Sequence, residues 1–483
     1  MARRWGATAL LLLHATASIQ GVAAQANGPN FYKISTKEEV KQSAKDLAWH
    51  VMTLYPGNQT GKEVGIFPGP PSEGKGPYYW WQAGAVWGAM IDYWHYTGDS
   101  TYNKIVTEGI MNQIGEDQDF EPRNHRASLG NDDQGFWGMT AMLAAENKFP
   151  DAPGSGSTVP GWLGLAQAVW VRQTLPERQD SECGGGLRWQ VPGAGWGPGQ
   201  TYKNTIANAC YFNIGARLTR YTGNSTYAEH AEKIWDWMWA LGYIDHESWR
   251  VYDGANSNHN CTNINHVQYM YNPGILMQGA AAMYDHTKKD KWKNIVTNLA
   301  KAAIESFFAD GAALEASCEP YGPTNCTSDM VMFKGFVHRW MAQTTLLAPF
   351  VKDEIRPVLR KSAAQALKTC TGAPTGRACG FFWTKGEFVD PALTSDTLGV
   401  GTRLDALSAV MSLLVEFDDA QSPTTGSTGG NSAGDTGAGL RHTPATGYSD
   451  ITTGDRAGAA ILTTVIIGLA LGTFGWILWE RSE

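Results

Sequence analysis

The chain has 483 residues, a formal net charge of −8, and 17% charged and 11% aromatic residues. Because acidic residues outnumber basic ones and the basic residues form no clusters, the sequence argues against a nucleic-acid-binding protein. The length alone would allow two or three domains, so the division has to be found along the chain.

The first 26 residues have the layout of a secretory signal peptide. Arg3 and Arg4 precede a short apolar run at 7–13, and small residues follow at Ala24 and Ala26. The run is too short to cross a bilayer, so we predict that residues 1–26 are removed on export. Acceptor sequons agree with a secretory route and predict glycosylation at four asparagines: Asn58, Asn224, Asn260 and Asn325.

Residues 27–419 form the predicted globular region, and an internal repeat indicates its fold. The sequence Tyr-Thr-Gly-Asp-Ser-Thr-Tyr at 96–102 recurs as Tyr-Thr-Gly-Asn-Ser-Thr-Tyr at 221–227, with a fainter copy at 284–292. Each copy joins an apolar segment to an amphipathic one, because glycine ends a helix and Ser or Thr after Asp or Asn begins the next. Six hairpins of about 60 residues would fill the region. We therefore predict an all-α fold, an (α/α)6 barrel, with a spiral solenoid as the alternative.

The most specific signal for chemistry is the adjacent pair Asp132 and Asp133, in the segment Gly-Asn-Asp-Asp-Gln-Gly-Phe-Trp-Gly-Met at 130–139. Two interpretations compete. Acids in the first turn of a helix offset its dipole, so the pair could be a cap and nothing more. Alternatively, neighbouring carboxyls can lie about 5 Å apart, the separation of retaining glycosidases, and their repulsion would keep one of them protonated.

Aromatic and polar residues gather at the predicted helix entrances, where the loops of a barrel line a cleft. Any single tryptophan is as suited to bracing a loop as to contacting a ligand, but 20 tryptophans in one chain favour a carbohydrate cleft. The candidate substrate-binding residues at these entrances are Trp80, Trp81, Asn131, Trp137, Trp189, Trp196, Lys203, Asn204, Tyr271, Asn272 and Lys334.

The seven cysteines lack the paired spacing of a zinc site and indicate disulfides of an oxidising compartment, and we predict neither a metal nor a cofactor. Two pairs are close enough in sequence to close local loops: Cys318 with Cys326, and Cys370 with Cys379. One of the other three must stay free, and the sequence leaves open which: Cys183, Cys210 or Cys261.

Several segments together resemble glycoside hydrolase family 76, and more narrowly its fungal cell-wall members. The resemblance runs from about Ile34 to Phe417 and is carried by the residues at 130–139, 78–94, 183–190, 202–209, 271–284 and 333–340. It implies an (α/α)6 barrel, in agreement with the repeat. It also implies an endo-acting, retaining α-1,6-mannosidase of cell-wall biogenesis.

The resemblance also implies roles for individual residues. Asp132 matches the nucleophile and Asp133 the general acid/base. Asp253 and Asn272 resemble positions that hold the sugar. The entrance to the fifth predicted inner helix also contains a histidine and an arginine, for which a structural role is favoured: His338 and Arg339.

Two other functions remain open at this stage. A transglycosidase would use the same carboxylates to move mannose from a glycolipid anchor onto wall glucan, and the sequence does not separate it from a hydrolase of α-1,6-mannan. The second alternative is a catalytically inactive wall protein that binds mannan. For it, as for the two enzymes, we expect a monomer. The intact acid pair argues against it, because a lectin has no need of two adjacent acids.

The C-terminal part predicts attachment to a surface. Residues 420–456 are rich in Gly, Ser and Thr and predict a flexible stalk. Residues 457–479 are apolar and uncharged, which fits either a transmembrane helix or a glycolipid-anchor signal. We expect the domain to face outward at the cell surface or in the secretory lumen.

Overall fold

The computed structural model describes residues 31–156, 159–194, 197–308, 311–373, 375–389, 399–417, 419–435, 437–440 and 453–480. The predicted signal peptide, Trp196 and residues 441–452 of the predicted stalk lie outside this part of the chain. Within it, twelve helices of the globular region form two concentric rings, as the repeat predicts.

The inner ring closes on itself, because each inner helix packs against the next and the last packs against the first. Its helices, in chain order, are α2 (Trp80–Thr97), α4 (Asn131–Glu146), α6 (Thr205–Thr222), α8 (Tyr271–Thr287), α10 (Phe333–Leu347) and α12 (Val400–Met411). The outer helices are α1 (Lys37–Met52), α3 (Asn103–Met111), α5 (Trp162–Thr174), α7 (Ser225–Leu241), α9 (Asp290–Phe307) and α11 (Lys352–Lys368). The fold is therefore an (α/α)6 barrel, and the predicted fold class is confirmed.

The repeated junctions end inner helices in the way the sequence predicts. Gly98 ends α2 with φ 79°, and Gly223 ends α6 with φ 74°, both in the left-handed region that glycine enters without strain. Close helix packing also depends on glycine. A Cβ on Gly84 would lie 2.7 Å from the Trp137 ring, so the contact between α2 and α4 requires a residue without a side chain.

One hairpin of the ring joins the two ends of the domain. The inner helix α12 packs against α1, which is the first helix in the described part of the chain and serves as its outer partner. The other five hairpins are each continuous in sequence. Thr36 caps α1 in a capping box with Glu39, so this outer helix has its own local start signal.

A small antiparallel sheet at the mouth of the ring departs from the predicted all-helical content. Its order is β1 (Tyr202–Asn204), β2 (Gly254–Asn256) and β3 (Ile264–Asn265). β1 leads directly into α6, so the sheet fixes the entrance of that inner helix.

The disulfides answer the question that the sequence left open. The two predicted local pairs are present, and the third bond joins Cys183 to Cys261 with their Cα atoms 5.7 Å apart. It ties the loop before α6 to the loop after β2. Cys210 is the remaining thiol, buried in the middle of the inner helix α6.

The structure corrects part of the predicted stalk. Residues 420–435 and 437–440, here called the C-terminal strap, lie against the barrel rather than free of it. The Thr424 backbone N–H donates to the Glu146 carbonyl over 2.8 Å, and the N–H of Gly426 donates to the Tyr221 carbonyl over 2.9 Å. Both carbonyls belong to the C-terminal ends of inner helices, which leave such groups without partners in the helix. Later strap residues bond the first turns of α5.

A thirteenth helix, α13 (Thr453–Glu480), follows the strap and covers the predicted anchor segment. Over the described residues, none of the helices meets both the length and the hydropathy that a membrane span requires.

Candidate active site

The acid pair lies at the mouth of the ring, in the first turn of α4. Gly130 precedes the helix in an extended conformation and donates its N–H to Asp133 Oδ2 over 2.7 Å. The N–H of Asp133 donates to Asp132 Oδ1 over 3.0 Å, and the side chain of Asn204 also bonds Asp132. Asp133 therefore caps the helix, as the first of the two interpretations of the acid pair predicts. It uses one carboxyl oxygen to do so.

Burial sets the protonation of the pair. Asp132 is only 9% exposed. Burial, and then the charge of Asp133, raise the pKa of Asp132 well above its ordinary value. Burial raises the pKa of Asp133 to about 6, although the Gly130 N–H opposes this rise. Burial and mutual repulsion therefore disfavour full ionisation of the pair, which favours the retention of one proton.

A buried polar network fixes the start of α4. Asn131 is completely buried; its side-chain N–H donates to the Arg188 carbonyl over 2.9 Å, and its oxygen accepts from Arg178 over 2.7 Å. Arg178 also pairs with buried Glu121. Asn131 was a predicted sugar-binding residue, but the structure uses both ends of its side chain to hold neighbouring loops in place.

Aromatic rings form the floor of the cleft beside the pair. The Trp81 and Phe136 ring centroids are 4.6 Å apart, and Tyr271 stacks on Phe333 at 4.0 Å. At the rim, Trp189 is 41% exposed and its carbonyl accepts from the N–H of Asn131 over 2.8 Å. The predicted Trp81, Trp189 and Tyr271 are therefore brought together around the acids.

Polar groups cover the side of the cleft formed by β1 to β3 and α8. Asp253 accepts hydrogen bonds from the Tyr202 hydroxyl over 2.6 Å and from Asn265 over 3.2 Å, and burial raises its pKa. Tyr271 lies near enough to both Asp253 and Asp132 for their charges, added to burial, to raise its pKa well above 10. Asn272 is completely buried, and neither its side-chain oxygen nor its nitrogen has a hydrogen-bond partner.

Two predicted lysines are structural groups and do not face the cleft. Lys203 is fully buried; its ammonium bonds Asp180 over 2.8 Å together with three backbone carbonyls of the loop before α6. Lys334 is also fully buried, pairs with Glu319 over 2.7 Å and lies over the Phe381 ring. Both ammonium groups replace lost hydration with protein oxygens, which leaves them unavailable to a sugar.

Two predicted tryptophans belong to one stack behind the acids. Trp137 is completely buried between the rings of Trp80 and Phe120, at 5.1 and 5.6 Å. Trp80 is partly buried, and its indole N–H donates to Gln113 over 2.8 Å. Trp137 therefore supports the cleft from below instead of contacting a ligand.

His338 and Arg339 lie inside the barrel. His338 bonds the Lys334 carbonyl over 2.6 Å and the Ser362 hydroxyl over 3.0 Å, and burial lowers its pKa to about 4. Arg339 bonds Asp92 over 2.6 Å. The four sequon asparagines are exposed, on different parts of the surface: Asn58, Asn224, Asn260 and Asn325.

The sequence interpretation missed three cleft residues. Tyr202 and Asn265 hold Asp253, and they belong to strands that are too short to carry an alternating pattern. Asp329, in the loop before α10, lies close enough to Asp133 for that charge, after burial, to raise the pKa of Asp329 to about 7. Its position before a short helical turn resembles an ordinary cap, so the sequence contains no separate signal for it.

No ligand-like cluster of three or more His, Cys, Asp or Glu side chains occurs among the residues that the structure describes.

Comparison with known proteins gives a consistent result. The sequence profile of glycosyl hydrolase family 76 matches residues 39–427. The mannan endo-1,6-alpha-mannosidase DCW1 of Saccharomyces cerevisiae is 39% identical over 431 residues, covering 89% of this chain and 91% of the relative. The mannan endo-1,6-alpha-mannosidase DFG5 of Candida albicans is 35% identical over 481 residues, covering 98% of this chain and 98% of the relative.

Solved structures agree. Dfg5 from Chaetomium thermophilum, solved with glucosamine, has a TM-score of 0.82 and 55% identity, covering 87% of this chain and all of that one. An inactive variant of the α-1,6-mannanase GH76A of Salegentibacter, solved with α-1,6-mannotriose, has a TM-score of 0.61 at 16% identity over 78% of this chain and 99% of that one. The second likeness concerns the fold alone.

Proposed function

This chain belongs to glycosyl hydrolase family 76, and from that premise we propose that it is a retaining mannan endo-1,6-α-mannosidase of the fungal cell wall in which Asp132 and Asp133 are the catalytic pair. The observation that carries the proposal is the buried pair itself: two adjacent carboxyls, with pKa values raised by burial, on an aromatic floor at the mouth of the ring. A retaining glycosidase needs one ionised and one protonated carboxyl at one bond.

In the proposed reaction, the Asp132 carboxylate attacks the anomeric carbon while Asp133 gives its proton to the departing glycosidic oxygen. The C–O bond breaks with its electron pair going to that oxygen, and a mannosyl ester forms on Asp132. Asp133, now ionised, then takes a proton from water as the water oxygen attacks the same carbon and releases Asp132.

The hydrogen bonds of Asp132 suit it to the role of nucleophile in this scheme, in which Asp133 holds the proton. The bonds that Asp132 receives from Asn204 and from the Asp133 N–H favour its ionised form, which is the form that attacks the anomeric carbon.

Transfer is the alternative outcome of the same intermediate. A sugar hydroxyl, such as one of wall glucan or of a second mannan chain, would replace water in the second step and yield a new glycosidic bond. The first step, the nucleophile and the acid would be unchanged. Product length separates the two reactions.

We further propose that the protein acts at the cell surface, with residues 1–26 removed and the C-terminal segment serving as the anchor. The strap supports this arrangement. Its first residues bond the C-terminal ends of α4 and α6, whereas the acid pair lies at the N-terminal end of α4, so this part of the strap leaves the cleft uncovered. A phospholipase that cleaves glycolipid anchors tests the mode: release from membranes means a lipid anchor, and retention means a surviving apolar helix.

The test of the function uses α-1,6-mannotetraose and product analysis. The wild-type protein should consume it, giving shorter sugars by hydrolysis or longer ones by transfer. Asp132→Asn should form no glycosyl-enzyme, because an amide is a poor nucleophile. Asp133→Asn should regain part of its first step on an aryl mannoside with a good leaving group, and azide should assist the second.

Asp290→Asn is the matched control, because Asp290 is an exposed acid in the first turn of the outer helix α9. It should retain wild-type activity. Circular dichroism should show all three variants folded. Full activity in both variants of the pair would mean that the two acids are only a cap.

A further inference from the structure

A third carboxyl group faces the acid pair from the opposite side of the cleft. Asp329 lies in the loop that enters α10, and the indole of Trp81 on the cleft floor bonds one of its oxygens. The rim residue Tyr79 is near both acids, since burial and then the charges of Asp329 and Asp133 raise its pKa. Asp329 therefore belongs to the same cleft as Asp133.

The loop that carries Asp329 is held in place just upstream of this residue. The side chain of Gln82, in the first turn of α2, donates to the carbonyl of Ser328 over 2.8 Å and accepts from the Tyr79 N–H over 2.7 Å. The disulfide between Cys318 and Cys326 closes the same loop just upstream. A carboxyl held in this way is pre-organised to bind, because little freedom remains to be lost.

The loop itself does not use the carboxyl. Asp329 precedes the short helical turn Met330–Met332, where an aspartate normally accepts a bond from a backbone N–H of the turn, yet no such cap bond is formed. Its second oxygen, Oδ1, is shielded from solvent and has no hydrogen-bond partner. A buried carboxyl oxygen without a partner costs free energy, which indicates a group that is satisfied only when the cleft is occupied.

We propose that Asp329 is a specificity-determining residue that accepts a hydrogen bond from a hydroxyl of the mannose unit lying between Asp133 and the Trp81 ring. This assignment rests on the proposed function and adds to it a polar contact on the acid/base side of the cleft. Because Asp329 lies close enough to Asp133 to feel its charge, the hydroxyl belongs to the sugar whose bond Asp133 protonates or to its neighbour. A binding contact there places the glycosidic oxygen within reach of the acid.

The test measures kcat/KM for the consumption of α-1,6-mannotetraose and of a series of its monodeoxy analogues. Asp329→Ala should lower kcat/KM on the parent sugar by about tenfold, as expected for losing a hydrogen bond to a buried carboxyl group. Asp329→Asn, which keeps an acceptor oxygen of the same shape, should lose less. Ser328→Ala, a change in the neighbouring residue of the same loop, is the matched control and should behave as wild type.

The analogues distinguish binding from a structural role. On the analogue that lacks the bound hydroxyl, wild type and Asp329→Ala should differ by less than about threefold, because the contact is already absent. An equal loss on every analogue, or no loss on the parent sugar in a folded variant, would overturn the assignment while leaving the proposed function intact. If the wild-type protein consumes none of these sugars, the proposed function is wrong and the assignment fails with it.

Discussion

The raised pKa of Asp133 predicts that its replacement stabilises the protein, and that the gain depends on pH. Burial raises this pKa from 3.8 to about 6. A carboxyl whose pKa is higher in the folded state favours folding fully below its unfolded pKa, and that contribution is lost as the pH rises through the folded pKa. The wild-type protein should therefore lose stability between about pH 4 and pH 7, which an uncharged side chain would not.

The size of the effect follows from the shift. About two pKa units at 1.36 kcal/mol each give about 3 kcal/mol between pH 4 and pH 7. Unfolding about 390 residues has an entropy near 0.8 kcal/mol per kelvin, so the shift in Tm is about 4 °C. Asparagine can still accept the Gly130 N–H, so the cap on α4 is kept. The neighbouring Asp132 adds to the gain in stability. Its pKa is raised in part by the charge of Asp133, so removing that charge lowers the pKa of Asp132 and makes its ionisation less destabilising.

The assay compares Tm for Asp133→Asn and wild type at whole pH values from 4 to 8, at one heating rate. The variant should gain little at pH 4 and about 4 °C at pH 7 and above. Asp245→Asn is the control with the opposite sign, because hydrogen bonds from the Ser248 N–H and hydroxyl lower the pKa of that partly exposed acid. A gain for Asp133→Asn that is the same at every pH would refute the argument from burial.

Two further predictions concern the barrel. A chain ending after residue 419 should have a Tm on the order of 5 °C below that of a chain ending after residue 440, because it loses the strap bonds at the ends of α4 and α6. Equal Tm values would show that the strap adds no stability. Arg217→Met should lower Tm by a similar amount, because it leaves buried Glu146 without the partner that it bonds over 2.6 and 3.0 Å. In a double-mutant cycle, Arg217→Met combined with Glu146→Gln should recover most of the loss.

The fold could be predicted as far as its signals are local. The junctions at Gly98 and Gly223 combine a helix end, a left-handed residue and a new start within a few positions, so a repeat of sequence becomes a repeat of structure. The hairpin of α12 and α1 has no such junction. Its two helices come from opposite ends of the sequence of the domain, and they pack together only because the ring closes. Contact between distant segments leaves no trace in a local pattern.

The site divides in the same way. Asp132 and Asp133 are neighbours in sequence, so covalent geometry alone brings the two carboxyls together. Lys203 and Lys334 have the composition of ligand-binding residues, but acceptors from other segments surround them, and residue type cannot reveal where those acceptors lie. Asp329 presents the converse case, because only the fold shows that its carboxyl leaves its own turn and joins the cleft.

The strap shows why composition misled the prediction of a stalk. Small residues bury little apolar surface, which argues for flexibility, but they also let a backbone approach closely. A Cβ on Gly439 would lie 2.6 Å from the Ala168 carbonyl of α5, and one on Gly430 would lie 2.4 Å from the Tyr221 hydroxyl. The strap binds through its own amides to carbonyls that the ends of the inner helices leave open, so it needs few side chains to be held. The described part of the strap consequently packs against the barrel as far as residue 440.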